Sequence, residues 1–287
     1  MSPALRRRIR NHIFSSGVAL CGGLGTAALG AMFLFLLAGA FPALRDQGLT
    51  QMLLSPVWEP SLGRFGLLAM FCATIAVSIG AVLLGLPVAL FSAAFAQNLL
   101  PRWLRPAFVG LLELMSGLPS VLFGLVGLMT LLPALSRMFP AKMAASGGAT
   151  LLAAILVLAA MMLPELTLAL LGDLREAEKQ VGPSSRALGA TPMQTVFRAQ
   201  LPAAGVKITA AGLGGIRRAA AEGIAVLLVS GNVVRFPSLF SGTRTLASGM
   251  ILEMGYASGI HRSALFAAAL LLLFVALLPG GSARDKK

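Results

Sequence analysis

Six runs of apolar residues, each long enough to cross or nearly cross a lipid bilayer, leave this chain few choices of fold. They are Val18 to Phe41, Phe65 to Ala96, Phe108 to Leu132, Ala149 to Leu171, Ile208 to Val229 and Ser263 to Leu278. A spanning helix takes about 20 mostly apolar residues. Within the hydrocarbon core every peptide N–H and C=O must be satisfied inside the chain, which a helix does and an open sheet does not. Only 11% of the residues are charged and 57% are hydrophobic, whereas soluble domains carry about a quarter charged residues. No water-soluble core could hide that much apolar surface. The expected class is an all-α membrane protein: one domain, residues 1–287, with about six transmembrane helices.

The first run imitates a secretory signal, with Arg6, Arg7, Arg8 and Arg10 before it and Ala38-Gly39-Ala40 near its end. Its 24 residues exceed the roughly 7 to 15 of a signal core, so an uncleaved first span is expected. Lys and Arg gather on the cytoplasmic side of membrane proteins. With six spans and the N-terminus inside, the inner segments hold Arg6, Arg7, Arg8, Arg10, Arg102, Arg105, Arg175, Lys179, Arg186, Arg198, Lys207, Arg284, Lys286 and Lys287. The outer segments hold half as many: Arg45, Arg64, Arg137, Lys142, Arg235, Arg244 and Arg262. That asymmetry places both termini in the cytoplasm. It also accounts for the net charge of +13, which in a soluble chain would suggest nucleic acid; no nucleic-acid partner is expected. Cys21 and Cys72 each lie in an apolar run and read as small hydrophobes.

The segment from Gly172 to Lys207 is the longest polar stretch and is rich in helix formers. Two helices are expected there, the first from about Leu174 to Ala190. The second opens at Thr191, with Pro192 at its first position and Gln194 three residues after the cap, a capping-box arrangement. It is expected to end before Pro202. A helix pair held at the cytoplasmic face, with no lipid to cover, is a docking element.

Charge inside a span costs about 2.5 to 3.5 kcal/mol and marks candidate function. In the fifth run Arg218 and Glu222 are four residues apart on one helix face and are expected to pair, with Arg217 about 100° away. Ala211, Gly215, Ala219 and Gly223 form a small-residue stripe that lets another helix come close. The third run carries Glu113, then Gly117-Leu118-Pro119-Ser120, where Pro119 should kink or break the helix. Ser116, Ser120 and Gly124 repeat at four-residue spacing and suit helix packing or pathway lining equally. Broken helices at membrane depth occur only against protein or a water-filled cavity.

There is no Gly-x-x-x-x-Gly-Lys-Ser/Thr run to cradle a nucleotide, so any use of ATP belongs to a partner subunit. His12 and His261 stand isolated, and no metal site is expected. No Ser/His/Asp or Cys/His set can be assembled, which disfavours a membrane enzyme. A secondary transporter would show coupling-ion residues and repeated halves, and neither is visible.

The run Ser185-Arg186-Ala187-Leu188-Gly189-Ala190-Thr191 through Leu201-Pro202 resembles the cytoplasmic coupling loop of ABC-importer permeases. Gly189, Leu201 and Pro202 match, while Pro183 stands at the family's Glu and Ala199 at its aliphatic position. Four further segments are similar to phosphate-importer permeases of the PstC type: Pro56 to Gly66, Glu113 to Val121, Arg218 to Val226 with Gly231-Asn232, and Arg244-Thr245-Leu246 with Glu253-Met254. Within the third of these, Ala221 and Gly223 replace the family's Gly and Thr beside Glu222. The resemblance covers roughly residues 55 to 278. It implies the type I importer permease fold in a bacterial inner membrane. It also implies a second permease subunit, a dimer of ATP-binding cassette ATPases and a periplasmic phosphate-binding protein as partners, with no cofactor on this chain. Arg218, Glu222, Arg217, Glu113 and Ser120 would line the substrate pathway. Arg186, Ala187, Gly189, Ala190, Thr191, Leu201 and Pro202 would form the ATPase coupling loop. The alternative within the class is a permease for another oxyanion or anionic solute.

Overall fold

The computed structural model describes the backbone of residues 3–277 and the side chains from Phe14 onward. In chain order its helices are α1 (Pro3–Gln47), α2 (Leu49–Leu54), α3 (Leu68–Asn98), α4 (Arg105–Ser116), α5 (Ser120–Val126), α6 (Leu132–Met138), α7 (Pro140–Met143), α8 (Leu151–Ala187), α9 (Pro192–Thr195), α10 (Leu201–Ala203), α11 (Gly205–Ala221), α12 (Ile224–Val229), α13 (Leu246–Glu253) and α14 (Gly259–Leu277). One small hairpin interrupts them: β1 (Trp58–Glu59) pairs antiparallel with β2 (Arg64–Phe65), Trp58 opposite Phe65. The basic residues Arg284, Lys286 and Lys287, and the expected end of the last run at Leu278, lie outside the described residues.

Among the described residues, five helical stretches are long and apolar enough to cross a membrane: Phe14–Gln47, Leu68–Asn98, Ser120–Met138, Leu151–Ala187 and Gly259–Leu277. The fifth expected span, 208 to 229, is two shorter helices, α11 and α12, separated at Glu222-Gly223. The third expected span is likewise cut, between α4 and α5, at Gly117-Leu118-Pro119. Pro119 takes extended backbone (φ −58°, ψ 138°) and starts α5 afresh. The clash of a proline with the residue before it had marked this break in the sequence.

α5 and α12 then lie side by side. A Cβ added to Gly124 would stand 2.8 Å from Leu228 Cδ1 and 2.9 Å from the Ala225 Cα, and one on Gly127 would stand 3.1 Å from Val229 Cγ1. Since 124 meets 225 and 228 while 127 meets 229, the two half-helices run in the same direction. Only glycine permits that spacing.

Two wide, five-residue helical turns, Gly127–Leu131 and Val196–Gln200, each end two residues before a proline, Pro133 and Pro202. A proline ring collides with the carbonyl four residues back and offers it no N–H; widening the preceding turn relieves that collision. The second helix expected between Gly172 and Lys207 therefore does not stop before Pro202. It continues through Leu201–Ala203.

α8 runs 37 residues, about 55 Å at 1.5 Å per residue, well beyond a hydrocarbon core of about 30 Å. The first loop helix expected from about Leu174 to Ala190 is the far end of this span rather than a separate element. Thr150 starts it by accepting the Ala153 N–H at 3.3 Å. α8 is also the centre of packing: Leu158, Leu170, Leu171 and Leu174 are buried against α3 and its neighbours. The small-residue stripe of α11 meets this core. A Cβ on Gly215 would lie 2.9 Å from the Met162 methyl and 3.1 Å from Val82. α1 rests on α14, where Gly39 leaves room for the Phe266 ring. The other faces of α1, including Phe14, Leu20, Leu24 and Leu29, are open, as befits a helix surrounded by lipid.

Candidate functional site

Arg218 is held by a partner the sequence did not suggest. Its Nη1 lies 2.5 Å from Oε2 of Glu165 on α8. Glu222 makes no ion pair with it. The expected pairing presumed a continuous helix, in which residues four apart share a face; at Glu222 the backbone leaves the helix (φ −74°, ψ 119°). Its carboxylate instead accepts the Ala225 N–H at 3.3 Å and so caps α12. One side chain thus ends α11 and begins α12.

Arg218 and Glu165 face a cavity of about 320 Å3 lined also by Met162, Leu166, Ala169, Ala211, Gly214 and Gly215. The glycines and alanines of α11 create this hollow, because larger side chains there would fill it. Both charged side chains are about half exposed, 51% for Arg218 and 46% for Glu165. Arg217 is half-buried. Glu113 is exposed on α4, and Ser120 is half-buried at the first position of α5. The predicted pathway residues are thus distributed over three broken or bent elements, and Arg218 pairs with Glu165, which was not among them. Its signal in the sequence was present: a carboxylate beside Pro164, in the middle of an apolar run.

A second polar cluster joins the hairpin to the last two helices. Glu253 accepts from Trp58 Nε1 at 2.9 Å, pairs with Arg244 Nη1 at 2.5 Å and lies 2.8 Å from His261 Nε2. Glu253 is 6% exposed and Arg244 15%. His261 stacks on Phe65, ring centroids 5.6 Å apart. His261 therefore is not isolated, although among the described residues no group of three His, Cys, Asp or Glu is placed to hold a metal. Arg244 also donates Nε–H to the Asn232 carbonyl at 3.0 Å, and Asn232 closes α12 by donating to the Leu227 carbonyl at 2.7 Å. The cluster fastens the α12 exit loop to the hairpin.

The loop from Gly172 to Lys207 has a defined tip. Ala187 ends α8, Leu188 stands 89% exposed, and Gly189 adopts φ +82°. The Gly189 N–H returns to the Arg186 carbonyl at 2.9 Å and the Ala190 N–H to that of Ser185 at 3.2 Å, a left-handed helix ending that glycine allows. Thr191 and Gln194 form the expected capping box. Glu178 binds both Arg186 and Gln200, and Ser185 Oγ lies 3.0 Å from Thr195 Oγ1. These contacts fold α9 and α10 back onto α8. Lys207 adds a bond to Glu176 at 2.5 Å.

No protein-family model matches the chain. It is 31% identical, over 269 residues, to the probable ABC transporter permease protein YqgH of Bacillus subtilis, an alignment spanning 91% of this chain and 85% of that protein. It is 30% identical over 267 residues to the phosphate transport system permease protein PstC of Xylella fastidiosa, spanning 86% of this chain and 81% of the relative. The PstC protein of Mesorhizobium japonicum is 29% identical across 95% of this chain.

Proposed function

Because the chain belongs to the ABC-transporter permease family that includes YqgH and PstC, we propose that it is the membrane-spanning subunit of an ATP-driven phosphate importer. The observation that carries the proposal is a guanidinium, Arg218, presented with Glu165 at a cavity of about 320 Å3 between two apolar helices. A guanidinium offers planar, paired donors suited to an oxyanion, and a charge at this depth persists where function requires it.

In this reading the chain forms the pathway together with a second permease subunit, sits in the bacterial inner membrane with both termini in the cytoplasm, and receives phosphate from a periplasmic binding protein. ATP is bound by a pair of ATPase subunits that dock on the exposed tip at Leu188-Gly189. Movement of that tip passes directly to the pathway, because the tip directly follows α8, the helix that carries Glu165. A rigid α8 carries Glu165 with it, and α11, packed on α8 through Gly215, carries Arg218. Closure of the ATPases is thereby converted into opening or closing of the cavity.

Arg218→Ala in the assembled complex, reconstituted in liposomes, tests the reading. Phosphate uptake is expected to be lost while the complex still assembles. Uptake at the unsubstituted rate would overturn it.

A further inference from the structure

A carboxylate in the wall of an anion pathway repels most anions, yet Glu165 shares its cavity with Arg218. The other walls near the pair are apolar or backbone: Met162, Leu166, Ala211 and Gly215. They lower the local dielectric, so that both attraction to Arg218 and repulsion from Glu165 act more strongly than in water. The two approach each other most closely at Nη1 and Oε2, 2.5 Å apart. A guanidinium has five N–H donors, so Arg218 retains donors for a second acceptor, whereas an ionised Glu165 can only accept. The cavity, at about 320 Å3, holds about ten times the ~30 Å3 share of a liquid water, enough for a tetrahedral oxyanion between the two side chains.

Such an oxyanion meets two opposite requirements. It must give bare oxygen to Arg218 and an O–H to Glu165. Phosphate and arsenate satisfy both near neutral pH, since each still carries a proton. Sulfate carries none, and its lone pairs would face those of the carboxylate. From this geometry we propose that Glu165 and Arg218 together select oxyanions that carry a proton, Glu165 accepting the substrate's O–H while Arg218 holds its unprotonated oxygens. The inference rests on the phosphate-permease reading and adds to it the residue that excludes sulfate. Polar groups that a wrong ligand leaves unpaired discriminate far more sharply than differences in size, and a repulsive element is an effective means of rejecting a near-isostere. With the cavity empty, Glu165 neutralises Arg218 and keeps the pair stable at membrane depth.

The test uses the assembled complex, permeases and ATPases together, in nanodiscs without the external binding protein, and measures binding of radiolabelled phosphate against competing arsenate and sulfate. In the unsubstituted complex arsenate is expected to compete about as well as phosphate itself, and sulfate not at all at about 100-fold excess. Glu165→Gln, which can donate to sulfate and accepts the phosphate O–H only through a neutral amide oxygen, is expected to weaken phosphate about tenfold and to admit sulfate. Glu165→Asp keeps the carboxylate and should keep the exclusion. Competition by sulfate in the unsubstituted complex, or exclusion undiminished in Glu165→Gln, would overturn the inference and leave the importer reading standing. An unsubstituted complex that neither binds phosphate in nanodiscs nor takes it up in liposomes with the binding protein present would overturn both.

Discussion

Replacing Glu253 by Gln should show how far the cluster beneath the hairpin holds the last third of the chain in place. The side chain is 6% exposed and serves three donors: Arg244 at 2.5 Å, Trp58 at 2.9 Å and His261 at 2.8 Å. Glutamine keeps the volume but removes the charge, and its NH2 occupies the place of one carboxylate oxygen, so at least one donor must face another donor. Removing one partner of a buried ion pair costs about 3–5 kcal/mol because the other charge is left uncompensated. The amide oxygen recovers about 1 kcal/mol by keeping one hydrogen bond, which leaves an expected loss of about 2–4 kcal/mol. Arg244 retains its bond to the Asn232 carbonyl, which argues for the lower part of that range. Equilibrium unfolding of the purified chain in mixed micelles, followed by Trp58 fluorescence in a Trp103→Phe background, measures the loss. The companion Arg244→Gln and the double variant complete a cycle, in which contacting charges should couple by about 1–3 kcal/mol. A loss under about 0.5 kcal/mol, or no coupling, would refute the reasoning: the cluster would then be a surface ornament.

Other substitutions probe the breaks and the tip. Gly124→Val places a branched side chain where even a Cβ meets the Ala225 Cα at 2.9 Å, and should destabilise the chain by at least about 1–3 kcal/mol through overpacking, seen as a lowered midpoint in the same micelle titration. Gly189→Ala forces a side chain into φ +82°, a conformation costing about 1–2 kcal/mol; it should lower ATP hydrolysis by the assembled complex while leaving unfolding of the transmembrane core unchanged. Leu188→Asp changes the most exposed apolar residue at the tip and should reduce co-purification of the ATPase subunits without affecting the chain's own insertion in the membrane.

The helical membrane class was legible in the sequence because apolar length carries it. Among the described residues four of the six runs appear as unbroken apolar helices and a fifth does so from Ser120 onward, while α8 outruns its expected end by continuing from Leu171 to Ala187. The break at Pro119 was legible because proline acts locally. The break at Glu222 was not: nothing in Arg218-Ala219-Ala220-Ala221-Glu222-Gly223 forbids a helix, and the carboxylate leaves it to cap α12, a preference decided by packing against α5 and α13. The same event removed the expected Arg218–Glu222 pair and left Arg218 to Glu165. That partner lies 53 residues away in sequence, where periodicity has no reach. The Trp58–Arg244–Glu253–His261 cluster was invisible for the same reason, although Trp58, Arg244 and Glu253 sit in segments that resemble the family.

The most direct test of the central claim is purification of the tagged chain from its native membranes, with the associated subunits identified and ATP hydrolysis measured in nanodiscs. A second permease and an ATPase pair should arrive with it, and phosphate-loaded binding protein should raise hydrolysis above the rate with empty binding protein. A chain that purifies alone, or a complex whose hydrolysis ignores phosphate, would contradict the account.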